Sequence, residues 1–344
     1  MKRFILGEGM VATIKDVAGL AGVSLGTVSK VINGDQSVSD KRSERVKVAI
    51  ATLGYSPNSI AQNLRTANSK TISVLLANIT NPFQMALAKG IEEVAVEHNY
   101  NLAVSSTNER VEKELDSLEM FERNRSDGII ICSTGKTKEK ICSLIEKNIP
   151  VVMVDRFVPG IPCDYVGDNF PRAIEIALQH LQALGHNRIG IIHGDMNTYH
   201  GAYRHGLVLK KMRKLGLPHD TNLHKTGPYT YEQGGNAFRE LMAMSVPPTA
   251  VLAVNNVLCA GAINAANNSE VNIPGDVSLV LINENNFMWD IVSPGITMVT
   301  QSPLTIGRSA ANIIFERLRG KEKMAFTNTL FEPTLVVRES TRIL

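Results

Sequence analysis

A chain of 344 residues is too long for one average domain, and with 44% apolar and 20% charged residues it has a globular composition that excludes fibrous and wholly disordered classes. Its longest apolar runs, such as residues 72–77 and 128–132, have the length of strands. They fall far short of the ~20 residues a membrane span requires, so no membrane partner is expected. The net charge of +3 is unevenly spread: residues 1–66 carry nine Lys/Arg against five Asp/Glu, leaving 27 against 28 for the rest. A basic head on a neutral body points to an anionic partner for the head.

The first nine residues hold two basic residues but only Phe4, Ile5 and Leu6 as an apolar patch, too short for a signal peptide, so a cytoplasmic protein is expected. Met10 offers a second possible start. The four cysteines, Cys132, Cys142, Cys163 and Cys259, are scattered and read as free thiols of a reducing compartment.

From Thr13, a capping residue, Ile14, Val17, Ala18 and Ala21 repeat at helical spacing until Gly22-Val23 breaks the pattern. Ser24 can cap a second helix over Leu25–Ile32, closed by Asn33-Gly34. A third helix starts after Ser39, buries Val46, Ala49, Ile50 and Leu53, and stops at Gly54. By spacing alone this is a helix-turn-helix or any small three-helix bundle.

The residues separate the two. Ile14-Lys-Asp-Val-Ala18, Val23-Ser24, Thr27-Val-Ser-Lys-Val-Ile-Asn33 and Leu53-Gly-Tyr-Ser-Pro-Asn58 closely resemble the head of the lactose repressor and galactose repressor family. The resemblance implies that residues 11–56 bind double-stranded DNA, with the second helix in the major groove. Leu25 and Gly26 stand where the family reads bases and Lys30 where a basic residue is usual; Leu25 can touch only a thymine methyl, so readout rests mainly on Lys30, helped by Thr27 and Ser29. Ser24, Thr27, Ser29 and Asn33 can bond phosphates.

Residues 57–66 resemble the family's hinge helix, capped by Asn58, with Ile60, Ala61 and Leu64 on one apolar face. So short a helix is unstable alone and suits a switch that folds on DNA, with Leu64 as the wedge that enters the minor groove. Asn58, Ala61 and Leu64 are therefore expected at the DNA.

Beyond residue 70, β-branched runs at 71–77, 102–106, 128–132, 151–155, 188–194, 250–254 and 277–282 alternate with helical patterns. Such alternation means βαβ units in parallel sheets. The expected fold is thus a small all-α helix-turn-helix head plus an α/β two-lobed body of two doubly wound sheets. The resemblance implies a body like periplasmic sugar-binding proteins, with an N-lobe of 70–168 plus 298–327 and a C-lobe of 169–297 plus 328–344.

Ligands of such sheets bind beyond the carboxyl ends of strands. Local alignment with the family places Asn81, Phe83, Asp155, Arg204, Tyr229, Asn255 and Asn283 around an effector, a sugar or sugar derivative. Arg204 would supply a fork of donors, Asp155 and Asn255 would fix hydroxyls, and Phe83 and Tyr229 would give flat walls. The sequence departs from the pattern at Leu207, where glycine is usual, at Asn256, where aspartate is usual, and at Leu281-Ile282-Asn283, where glycine, an aromatic and aspartate are usual. Two amides in place of carboxylates suggest an anionic effector, such as a sugar phosphate or sugar acid.

The rivals are an enzyme of the same fold class and a secreted solute-binding protein. No phosphate-loop, dinucleotide, nucleophile-elbow or H-E-x-x-H motif occurs, so neither catalysis nor a cofactor is expected. The eight histidines follow no local metal-ligand spacing, so no metal is expected either. The basic head and the lack of a leader argue against secretion. The resemblance implies a homodimer on a near-palindromic operator, and with no C-terminal heptads after Leu335 no tetramer is expected.

Overall fold

The computed structural model describes residues 12–32, 34–35, 37–55, 69–284, 289, 291–320 and 325–344. The sequence-expected DNA contacts Asn33, Asn58, Ala61 and Leu64, and all of the hinge at 57–66, lie outside the described residues. The chain divides into two units, Met1–Ser69 and Lys70–Leu344.

The head holds helices α1 (Ile14–Ala21), α2 (Leu25–Ile32) and α3 (Asp40–Leu53). The Asp16 carboxylate closes the first turn of α1 by accepting from the backbone N–H of Thr13 at 2.8 Å and from its hydroxyl at 2.6 Å. Gly22 ends the helix at φ 61°, in the left-handed region, and a Cβ there would strike the Arg45 guanidinium. Val17, Ala18, Ala21, Val28, Val46 and Ala49 form a core shared by all three helices.

In the body, one sheet has the order β11-β5-β4-β3-β1-β2 and the other β12-β10-β9-β8-β6-β7. The first contains β1 (Thr71–Leu76), β2 (Asn101–Ser106), β3 (Gly128–Ile131), β4 (Val151–Val154), β5 (Asp164–Asp168) and β11 (Asn328–Phe331). The second contains β6 (Ile189–Ile192), β7 (His224–Lys225), β8 (Ala250–Ala253), β9 (Ser278–Glu284), β10 (Thr297–Gln301) and β12 (Thr334–Val336). All pairings are parallel except β10 with β12. Buried strand runs such as Gly128–Ile131 are apolar throughout because helices cover both faces of each sheet.

Helices α4 (Pro82–Glu97) and α11 (Pro303–Leu318) share a core with one face of the first sheet; α5 (Val111–Arg123) and α6 (Lys138–Glu146) cover the other. In the second lobe α7 (Phe170–Ala183) and α8 (Tyr199–Lys214) take one face, and α9 (Tyr231–Met242) and α10 (Asn256–Asn268) the other.

Two expected lobe boundaries are corrected. Residues 298–301 belong to β10 in the second sheet, so the chain crosses at Ser302, not near 297. Residues 328–331 belong to β11 in the first sheet, so they are not part of the C-lobe. The reason lies at Asp164: its carboxylate accepts from the Thr327 backbone N–H at 2.9 Å and from Arg317 at 2.9 and 2.8 Å, which fastens the start of β11 beside β5.

Candidate functional site

In both sheets the strand order reverses next to the first strand, β1 between β2 and β3 and β6 between β7 and β8. Those are the switch points where doubly wound folds bind ligands. A cavity of about 270 Å³ opens there between the lobes, and all seven residues expected around an effector, Asn81, Phe83, Asp155, Arg204, Tyr229, Asn255 and Asn283, line it.

Each is placed by the end of a strand or by the first two turns of a helix or the loop before it. Asn81 caps α4, its side-chain oxygen accepting from Phe83 N–H at 3.0 Å; Asn255 caps α10, accepting from Val257 N–H at 2.9 Å and Leu258 N–H at 3.3 Å. Capping commits both oxygens, so Asn255 faces a ligand mainly as a donor rather than as a two-sided hydroxyl partner. Asp155 follows β4 with φ 61°, a left-handed backbone that costs about 1–3 kcal/mol for most residues and marks functional sites. Tyr229 lies so close over Gly194 that any Cβ there would enter its ring.

The electrostatics are paired. Arg204 Nη2 donates to Asp155 Oδ1 at 3.4 Å, across the lobes, with both side chains only 10% exposed. The guanidinium carbon lies 3.9 Å from the centre of the Phe170 ring, a cation–π contact that holds it flat. Arg156 donates twice to Glu109, at 2.7 and 2.5 Å. Burial works to raise the Glu109 carboxyl, but the bonds and charge of Arg156, with Arg204 behind it, hold it below its ordinary value. Burial first, then the charges of Arg204 and Arg156, push His200 well below its usual pKa.

Arg156 Nε, Arg204 Nε, the Tyr229 hydroxyl and Asn283 Nδ2 are buried without a partner among the described residues. All four can donate, and all belong to residues that line the cavity. A ligand rich in acceptors would satisfy them. Sequence reasoning missed Glu109, Arg156, Asp195 and His200. Arg156 follows Asp155 directly, and His200 lies one helical turn before Arg204, so both had a local signal.

The lobes also touch directly: Asn256 Nδ2 donates to Asn81 Oδ1 at 3.1 Å. A carboxylate at 256 would turn an oxygen toward that capping oxygen. Asn256→Asp is expected to lower stability by about 1–2 kcal/mol at pH 7, read as a shift in the urea midpoint; an unchanged midpoint would show the contact contributes nothing.

In the head, Ser24 caps α2, accepting from Thr27 N–H at 3.2 Å. Ser24, Leu25, Gly26 and Lys30 are exposed, Thr27 and Ser29 half-buried, and Val28 buried, so the expected DNA-reading face is the outer face of α2. A Cβ on Gly26 would meet only open space and the Ser24 hydroxyl. Lys30 rests on Ser37 at 3.1 Å and near Asp35 at 3.7 Å.

A helix-turn-helix head and a two-lobed binding body on one chain define the build of a ligand-responsive DNA-binding regulator. Residues 13–58 match the bacterial regulatory proteins of the lacI family, and residues 178–341 match a periplasmic binding protein-like domain. The HTH-type transcriptional repressor PurR of Actinobacillus pleuropneumoniae is 31% identical over 332 residues, covering 96% of this chain and 98% of the relative. PurR of Haemophilus influenzae is 30% identical over 334 residues, covering 96% and 99%. The chain belongs to the LacI family of bacterial transcription regulators.

Among solved structures, the transcriptional regulator CelR with cellobiose is 26% identical, with a TM-score of 0.71 over 96% of this chain and 99% of that one. The lac repressor dimer bound to operator has a TM-score of 0.83 at 23% identity, over 97% and 100%, and agrees in fold. No helix among the described residues is long and apolar enough to cross a membrane.

Proposed function

We propose that the chain represses transcription as a homodimer on a near-palindromic operator in the cytosol, and that a small sugar-like effector bound between the lobes controls it without being transformed. The observation that carries this is the convergence of strand ends from both lobes on one cavity, crossed by the Arg204–Asp155 pair. A ligand that binds one lobe arrangement better than another shifts the regulator by that difference in affinity.

The geometry favours a neutral effector over the anionic one that Asn256 and Asn283 suggested. Asn256 serves a contact between lobes, and both guanidiniums of the cavity already face carboxylates, with Asp195 adding a third acid to Glu109 and Asp155. A neutral ring with several oxygens fits the paired charges and the spare donors. The cellobiose carried by CelR is of this kind. Thermal-shift screening of neutral sugars beside their phosphorylated and acidic counterparts tests it, since a ligand of the native state raises the melting temperature. Stabilisation by the anionic members alone would reverse the assignment.

For the head we propose that Lys30 reads bases, that Leu25 and Gly26 lie against them, that Ser24, Thr27, Ser29 and Asn33 fix phosphates, and that Asn58, Ala61 and Leu64 act at the hinge. Operator affinity is expected to fall at least about tenfold between 50 and 200 mM salt, because phosphate contacts release counterions. Lys30→Ala is expected to cost about 1–3 kcal/mol on operator and far less on random DNA. Gel-shift titrations on both DNAs check this; equal losses on the two would make Lys30 a phosphate contact.

A further inference from the structure

Half of the chain's eight histidines gather at one place in the second lobe. His193 follows β6, His205 lies in α8, His224 opens β7, and His219 sits in the loop before it. One ring nitrogen from each of His193, His205 and His224 lies within 4.8 Å of the others. His193 Nε2 and His224 Nδ1 are 3.0 Å apart, and the His219 ring centre is 5.2 Å from that of His224.

We propose that His193, His205 and His224 form a binding site for a divalent ion of the zinc class, with exposed His219 or water as the fourth ligand.

Three imidazole nitrogens suit Zn²⁺, which takes them at about 2.0–2.1 Å in a tetrahedron, placing ligand nitrogens about 3.3 Å apart. The cluster needs to draw in by up to about 1.5 Å from its present spread of 4.8 Å to reach that geometry. Burial, and the neighbouring rings after it, hold His193 well below its ordinary pKa, lower His205, and bring His224 down to about 4. Metal ligation takes the neutral form of each imidazole.

The alternative is a stacked histidine patch joined by one hydrogen bond, and it fits the burial poorly. His193 is 1% exposed, yet its Nδ1 has no partner among the described residues, and neither has His224 Nε2. Each ring offers an ion one nitrogen, and a bound ion accounts for these two atoms where they, rather than the His193–His224 pair 3.0 Å apart, are the ligands. His186 shows the contrast, a core histidine whose two nitrogens meet Thr249 at 3.0 Å and Arg342 O at 3.1 Å. The nearby carboxylate is no competitor, because Asp220 is engaged by Arg188 and by Asn222.

The ion would tie β6, β7 and α8 together directly behind the cavity wall. His193 precedes Gly194, on which Tyr229 rests, and His205 follows Arg204.

The test uses the full chain, untagged and stripped with chelator, titrated with Zn²⁺ against a chromogenic chelator. The expected result is one ion per protomer, a rise in melting temperature on loading, and visible absorption bands of tetrahedral nitrogen coordination when Co²⁺ replaces Zn²⁺. His205→Ala, at a half-buried helical position, and His224→Gln are each expected to weaken binding at least tenfold, while His180→Gln leaves it unchanged. Absence of stoichiometric binding, or binding equally strong in His205→Ala, overturns the site; the latter identifies adventitious binding elsewhere. Should His224→Gln fail to fold, His205→Ala decides alone.

Discussion

Replacing Arg204 by alanine is expected to weaken effector binding at least about 30-fold, because truncating one member of a buried, hydrogen-bonded charge pair costs about 2–5 kcal/mol. Three things are lost together: the donor to Asp155 at 3.4 Å, the Nε–H that has no protein partner, and the flat cation over Phe170. Asp155 is left as a buried carboxylate facing Asp168, and the lobes lose their one described ion pair across the cavity. Since the head is a separate unit, operator binding without ligand is expected to survive. Calorimetry with the sugar that gives the largest thermal shift measures the first effect, and gel shifts with and without it measure the second. A variant that still responds normally would remove Arg204 from the site. Asp155→Asn with Arg204→Ala is expected to recover stability, not affinity, because it removes the unpaired charge but not the missing donor.

What the sequence reveals follows the range over which each signal acts. The head was legible in full where described, because Thr13, Gly22, Ser24 and Gly54 are local signals of starts and stops. The seven apolar strands were legible as β-branched runs. Strands β5, β7, β10, β11 and β12 were not, for two physical reasons. Some, like β7, are two or three residues long; others carry polar groups that only the fold satisfies. Thr297 in β10, for example, is fully buried but donates from its N–H to Ser340 Oγ at 2.8 Å. The lobe boundaries, taken from the family resemblance, fell short by about the length of β10 and of β11. The cavity residues were legible because the strand-end rule and the family pattern agree on them, although neither shows that Asn81 and Asn255 turn their oxygens back to cap helices. The histidine cluster had no local signal: His193, His205 and His224 are twelve and nineteen residues apart, and only the stacking of β6, β7 and α8 brings them together.

Asp168→Asn is expected to make the protein more stable above neutral pH and to leave it nearly unchanged near about pH 4. Asp168 ends β5 where the chain passes between lobes, and it lies at a junction of crossings. Its Oδ1 accepts from Ser302 N–H at 3.4 Å, while the adjacent Asn169 donates to Glu332 at 2.8 Å. Its Oδ2 is buried without a partner among the described residues. Burial, and then the charge of Asp155, push the carboxyl up to about 7, with Ser302 and Arg204 opposing. The unfolded chain releases this proton near pH 4. Between those values the folded state holds more protons than the unfolded one, so the stability that Asp168 contributes is present in acid and is lost as pH rises through 7. A gap of this size corresponds to about 2–4 kcal/mol at pH 8. The asparagine keeps the acceptor for Ser302 and carries no charge to repel Asp155. Urea denaturation of both proteins from about pH 4 to 8.5 checks the sign and the window. The difference between them is expected to be small at pH 4, to widen in favour of the variant up to about pH 7, and to level off above it. Two curves that stay parallel would show that Asp168 is ionised throughout, held by its neighbours at the junction rather than disfavoured by them.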